Sequence, residues 1–244
     1  MENVSLFYDV AFEEGKTINL QSIEYSKTGE YHKENNLDNQ DYIYTQETAA
    51  GAFYAVADGA SSCENSRKGA EIACKISAKI ILDDIDYYFD SKPEKTINLI
   101  LSNIRNKINK VAGDLNENEM SFASTLCFIC VHKKRQQVMT FVLGDSKVFA
   151  LYPESICQKN PVNAYKNNET CTVLTDFANE DVGFSIESYF ENSQFVLCTD
   201  GCWKELFYMN EDNRVAMRSE SVEGIEDYLE SVKMFDDCSF LAVL

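Results

Sequence analysis

The strongest constraint on this chain is a set of short apolar runs, each closed or opened by an aspartate. AFYAVA (52–57) runs into Asp58 and Gly59, and QVMTFVLG from Gln137 runs into Asp145. FVLCT from Phe195 runs into Asp200, Asp236 precedes CSFLAVL, and Asp41 precedes the short run YIY. Apolar runs of this length, rich in aromatic and β-branched residues, predict buried strands. A single Asp-Gly at a strand end is an ordinary turn, because Gly tolerates positive φ and Asp bonds its own backbone. Five strand-end aspartates ask for more than turn chemistry, since antiparallel strands of one sheet can bring such ends to one rim.

The remaining pattern sets the fold class. FASTLCFICVH from Phe122 and KVFALY from Lys147 also read as strands. The polar link KKRQ predicts a hairpin, and Gly144-Asp145-Ser146 predicts a turn between the next pair of strands. From Asn65 to Asp84 the spacing turns helical, with Ala70, Ala73, Cys74, Ser77, Ile80 and Ile81 on one face. A second helix starts at Pro93 and carries the stripe Ile97, Ile100, Leu101, Ile104, Ile108 and Val111; Gly113 marks its expected end. A third helical stretch covers about residues 221–232. Hairpin-linked strands beside paired helices predict an α+β layered domain over residues 1–244, not an alternating parallel sheet. The polar segment 153–170, PESICQKNPVNAYKNNET, reads as a loop or flap within it.

Composition removes several function classes. With 45% hydrophobic and 12% aromatic residues, the chain can bury a substantial core. It lacks the roughly eighteen consecutive apolar residues of a membrane span, and its N-terminus lacks the basic and apolar regions of a secretory signal. The nine cysteines are odd in number and several lie inside apolar runs, as free thiols do in a reducing, cytoplasmic compartment. Cys127 and Cys130 sit three apart in a strand, on opposite faces, and so cannot chelate one zinc together. A net charge of −18 argues against nucleic acid as partner. It fits a soluble surface, and also carboxylates gathered around cations.

Gathering the strand-end aspartates without counter-ions is costly: two carboxylates about 4 Å apart repel by roughly 4 kcal/mol at an effective dielectric near 20. Divalent cations remove that repulsion, and an all-oxygen ligand set suits Mg²⁺ or Mn²⁺. Gly59, without a Cβ, would let its backbone carbonyl approach such an ion.

Taken in order, NQD (39–41), VADGASS (56–62), ASTL (123–126), LGDSKVF (143–149), LCTDGCW (197–203) and DDCSFLAVL (236–244) resemble the metal-dependent protein phosphatases of the protein phosphatase 2C type. Each motif is weak alone; their order and strand context carry the likeness across nearly the whole chain. The resemblance implies a four-layer α-β-β-α sandwich with two antiparallel sheets, and a dinuclear Mg²⁺ or Mn²⁺ site that activates water to hydrolyse phosphoserine and phosphothreonine. It implies Asp41 and Asp58 as the catalytic metal ligands, with Asp58 bridging both ions. Gly59 would give its carbonyl, and Asp200 and Asp236 would complete the site. Asp236 is preferred to Asp237 because Ser239 follows it by three positions. Asp145 would serve a third, weaker metal position. Expected partners are a phosphorylated protein and a cognate Ser/Thr kinase, for a monomeric enzyme with no membrane or nucleic-acid partner.

The chain also departs from the pattern. Gln40 replaces an acidic residue, and Lys204 stands where a further aspartate is expected, which undercuts the third metal. The phosphate-binding arginine upstream of Asp41 is absent, leaving His32 or Lys33 as the nearest substitute; His32 read alone is equally an exposed loop histidine. Three functions stay open from sequence: an active metal-dependent phosphatase, a pseudophosphatase that uses the same fold to bind phosphoproteins, or an acidic β-rich interaction domain with incidental Asp-Gly turns.

Overall fold

In the computed structural model, which describes residues 20–159, 164–166, 169–175, 181–189 and 193–244, the strand-forming runs pair into two larger antiparallel sheets and one small hairpin. The chain enters through β1 (Ser22–Lys27), α1 (Glu30–Glu34), β2 (Tyr42–Glu47) and β3 (Gly51–Ala57). Three helices follow, α2 (Ser66–Asp83), α3 (Ile85–Asp90) and α4 (Pro93–Leu115). A 3₁₀ turn (Glu119–Phe122) then leads to β4 (Leu126–His132), β5 (Gln137–Leu143), β6 (Lys147–Tyr152) and β7 (Ser155–Lys159). The small hairpin is β8 (Tyr165–Lys166) and β9 (Glu169–Thr170), followed by β10 (Gly183–Ser188) and β11 (Gln194–Cys198). The C-terminal part holds α5 (Asp200–Leu206), β12 (Phe207–Met209), β13 (Val215–Met217), α6 (Ile225–Ser231) and β14 (Cys238–Val243).

The five-stranded sheet has the order β10-β5-β4-β3-β2, and the seven-stranded sheet β1-β14-β11-β6-β7-β13-β12. Side-chain alternation sorts their residues into layers. Along β3, Ala52, Tyr54 and Val56 face the other sheet, where they join Val148, Leu197 and Leu241. Phe53, Ala55 and Ala57 face the helices instead, beside Ala70, Ile100 and Ile104. On the far side, Phe149, Val196 and Phe240 pack beneath Leu206, Ile225 and Leu229 of α5 and α6. The sequence of layers is thus helix, sheet, sheet, helix, an α+β sandwich. Both central sheets are covered on both faces, which is why β3, β4 and β14 are buried at every position. Cys127 and Cys130 fall in different layers, as their spacing requires.

Several elements differ from their sequence expectations. Gly144-Asp145-Ser146 links β5 to β6 as expected, but the two strands do not pair: β5 belongs to the five-stranded sheet and β6 to the seven-stranded one, so this link carries the chain across the sandwich. Gly144 takes φ +91° there, and a Cβ would come 2.6 Å from Thr125 Cγ2, so the crossing needs glycine. Helix α4 runs past Gly113. It ends in a Schellman turn in which Asn116 adopts φ 56° and Glu117 N–H donates to the Ala112 carbonyl at 2.9 Å. Asn116 supplies the left-handed residue expected of Gly113. The segment read as a loop, 153–170, contains β7 and the β8-β9 hairpin, with residues 160–163 and 167–168 outside the described residues. The N-terminal stretch, residues 1–19, also lies outside them.

Candidate metal centre

The register of each sheet sets the site. Tyr42 pairs with Ala57 across β2 and β3, so Asp41, just before β2, and Asp58, just after β3, emerge at the same end. In the other sheet Cys198 pairs with Phe240, which brings together Asp200, beyond the end of β11, and Asp236, before the start of β14. Asp145 lies in the link that crosses from one sheet to the other. The aspartates therefore come from two sheets and not from one rim of a single sheet. Asp58, Asp145, Asp200 and Asp236 line one cavity of about 600 Å³. Asp41 is 2% exposed and adjoins it, its charge acting on Asp58.

Each backbone stretch carrying a carboxylate is pinned. Asp58 N–H donates to Thr125 Oγ1 at 2.9 Å, Thr125 N–H donates back to the Asp58 carbonyl at 2.8 Å, and Thr125 Oγ1 shares a hydrogen bond with Ser146 Oγ at 2.8 Å. Gly59 N–H donates to the Gln40 carbonyl, and a Cβ on Gly59 would fall 2.8 Å from that oxygen. The glycine is thus required by the approach of the 40–41 loop, a reason that the carbonyl-to-metal reading of the sequence did not contain. Thr199 Oγ1 donates to Asp41 Oδ2 at 2.8 Å, while Asp41 N–H donates to Asn39 Oδ1. Arg67 on α2 donates to the carbonyls of Asn39 and Asp41.

Asp236 and Asp237 have separate places. Asp236 is on the cavity wall. Asp237 is 3% exposed and accepts N–H bonds from Gly29 at 2.9 Å and Gln40 at 2.6 Å. His32, expected as a substrate contact or an exposed loop residue, is neither at the surface nor on the cavity wall. It is 2% exposed, with Nδ1 2.7 Å from Asp237 Oδ2. Lys33, the other substrate candidate, is exposed on α1 and pairs with Glu30 at 3.1 Å, also off the cavity wall. Helix α1 has five residues, too few for a readable apolar period, so nothing in the sequence pattern marked His32 as buried. The doublet Asp236-Asp237 was the available sign that one carboxylate could serve as a ligand and its neighbour as a brace.

Burial and mutual repulsion push these carboxyls toward their neutral forms. Desolvation, then the charges of Asp41 and Asp200, drive the Asp58 carboxyl well above its usual 3.8. Asp41 is pushed up to about 8 by burial, although the hydrogen bond from Thr199 pulls the other way. Asp145 and Asp236 are raised by burial and then by Asp200. Asp200 itself meets a cation, Lys204 Nζ at 2.5 Å. Burial works against that ammonium, but the carboxylate outweighs it and its pKa moves up.

Among the described residues, no three His, Cys, Asp or Glu side chains form a ready-made ion cage. The donor chemistry still fits hard divalent ions: the clustered ligands are all oxygens, they repel in the absence of positive charge, and Asp41 Oδ1 is a buried acceptor without a partner.

Known proteins share this architecture. RsbX in complex with magnesium aligns over 95% of this chain and 96% of its own, with a TM-score of 0.58 and 14% identity. PppA of Pseudomonas aeruginosa aligns over 93% and 98%, with a TM-score of 0.64 and 14% identity. A serine/threonine phosphatase of S. agalactiae aligns over 92% and 99%, with a TM-score of 0.60 and 12% identity. No curated protein sequence matches the chain. A family model described as protein phosphatase 2C matches residues 28–234, most of the sequence, and with it the chain belongs to the protein phosphatase 2C family.

Proposed function

We propose that this protein is a Mg²⁺- or Mn²⁺-dependent protein serine/threonine phosphatase. The observation that carries the reading is the delivery of Asp58, Asp145, Asp200 and Asp236 from two sheets to one cavity, with Asp41 buried beside it. Asp41, Asp58, Asp200, Asp236 and the Gly59 carbonyl would hold the ions. Bound divalent ions supply Lewis acidity, lowering the pKa of water and offsetting the charge of phosphoryl oxygens.

The chain's own residues do the positioning. Thr199 fixes the rotamer of Asp41, and the Thr125–Ser146 pair fixes the backbone that aims Asp58. Ser61, Ser62 and Thr172 line the cavity with neutral polar groups, which can donate to a phosphate without adding charge. No lysine, arginine or histidine lines it among the described residues, so the cavity's attraction for a phosphomonoester would come from the bound ions. The His32–Asp237 pair acts on the loops of Gly29 and Gln40 instead of on substrate. The substrate is a phosphorylated protein, produced by a Ser/Thr kinase, and cysteines that form no disulfide among the described residues fit a reducing cytoplasm.

The test is hydrolysis of p-nitrophenyl phosphate and of a phosphothreonine peptide with Mn²⁺. Turnover in wild type, lost in Asp58→Asn and Asp200→Asn, is the expected result; undiminished turnover in those variants refutes the reading. The ammonium of Lys204 on Asp200 favours a second reading, a pseudophosphatase that binds phosphoproteins. Peptide and Mn²⁺ binding without turnover would select it.

A further inference from the structure

The cavity wall carries five carboxylates, Asp58, Asp145, Glu169, Asp200 and Asp236, yet a protein cation reaches its edge from α5. Lys204 Nζ lies 2.5 Å from Asp200 Oδ2, one helical turn on, with the lysine side chain 50% exposed and the aspartate 13%. Asp preceding Lys by four positions is the favoured order for a helical ion pair. The same end of the cavity is tied together by Trp203, whose indole N–H donates to the Asp145 carbonyl at 2.8 Å. The ammonium of Lys147 stands 4.2 Å from the centre of the Trp203 ring, and that of Lys204 stands 5.9 Å from it. Asp145 Oδ2 accepts the hydroxyls of Tyr165 at 3.2 Å and Thr170 at 3.3 Å, both from the β8-β9 hairpin.

The two ends of the carboxylate cluster are therefore unlike. At the Asp145–Asp200 end, an oxygen of each carboxylate is engaged by a donor of the chain. At the other end the donor on Asp41 is a neutral hydroxyl, that of Thr199 on Oδ2, and Oδ1 is buried without a partner. An oxygen occupied by an ammonium is not a free ligand, and the fixed charge beside it repels a dication.

We propose that Lys204 is a built-in counter-ion that closes the Asp145–Asp200 end to an additional divalent ion, leaving Asp145 to anchor the β8-β9 hairpin. Divalent ions are then confined to Asp41, Asp58, Asp236 and the second oxygen of Asp200. The inference rests on reading the cavity as a cation site, but not on whether that site turns over substrate.

The experiment is calorimetric titration of Mn²⁺ into the full chain, with emission from Trp203, the single tryptophan, followed in parallel. Lys204→Asp should bind one ion more than wild type, and the added step should change Trp203 emission. Lys204→Met should tighten the weakest binding step at least tenfold, and Lys204→Arg should keep the wild-type ion count. The proposal is overturned if Lys204→Asp and Lys204→Met, with wild-type circular dichroism, bind the same number of ions with affinities within twofold of wild type. Absence of Mn²⁺ binding in all four proteins overturns it too. Wild-type turnover is scored separately: a chain that binds Mn²⁺ without hydrolysis counts against the phosphatase reading alone, and the ion counts still decide this one.

Discussion

Asp41→Asn should stabilise the metal-free protein, and more so as pH rises. Burial holds the folded-state pKa of Asp41 near 8, against 3.8 for the free group. Between those values the folded state binds a proton that the unfolded chain releases. Stability is therefore fully present below about pH 4 and is lost as pH climbs toward 8. At about 1.36 kcal/mol per unit, the full penalty at pH 7 comes to about 4 kcal/mol. Sharing of charge with Asp237 and Asp200 spreads it, so the expected gain for Asn is about 2–4 kcal/mol. The amide oxygen can still accept the Thr199 hydroxyl, and the amide N–H₂ faces acidic neighbours. Urea unfolding in EDTA at pH 5 and pH 8 measures the effect: the gap between variant and wild type should widen with pH. In Mn²⁺ the order should reverse, because an ion at a hundredfold excess over its Kd adds about 2.7 kcal/mol per site to wild type alone. A variant that is no more stable than wild type in EDTA at pH 8, with an unchanged m-value, would refute the reasoning.

Three further outcomes follow from individual contacts. Gly113→Ala should stabilise by about 0.5–1 kcal/mol in thermal or urea unfolding, since Gly113 is helical and nothing lies within 4 Å of the added Cβ. Ile104→Ala should cost about 2–5 kcal/mol in the same assays, because Ile104 is wholly buried between α4 and the five-stranded sheet. Thr125→Val keeps the shape but strands the Asp58 N–H and the Ser146 hydroxyl. It should cost about 1–3 kcal/mol and lower p-nitrophenyl phosphatase activity at least tenfold; equal activity would show that this hydroxyl does not aim Asp58.

Much of this arrangement was legible because it rests on local periodicity. AFYAVA and KVFALY announce strands covered on both faces, and the stripe from Ile97 to Val111 announces the helix that packs on the sheet containing AFYAVA. The aspartates were visible as chemistry placed where strand pattern ends. What was not legible depended on contacts between distant segments. β1 alternates only weakly, with Tyr25 its one buried residue, so its pairing to β14 leaves little trace in SIEYSK. The crossover at Gly144 has the composition of a hairpin turn, and only the assignment of β5 and β6 to different sheets distinguishes the two. His32 was equally opaque, because its burial is decided by Asp237, 205 positions away.

Those distant contacts are also what makes a site from two half-sites. Asp41 and Asp58 move with the five-stranded sheet, and Asp200 and Asp236 with the seven-stranded one. Strand hydrogen bonds fix each pair internally but say nothing about the distance between pairs. That distance is held by three sets of bonds at the aspartate-bearing ends. Thr199, leaving β11, holds Asp41 ahead of β2. Asp237, ahead of β14, holds the Gln40 and Gly29 N–H groups, with His32 against its second oxygen. Thr125 joins Asp58 to Ser146 on the crossover itself. Each of these bonds is at least partly buried and at least one partner in each set is a short side chain with few rotamers, so little slack remains. The cost of assembling like charges is thus borne by polar contacts that the apolar sandwich does not need, gathered at the one end where the proposed function places the ions.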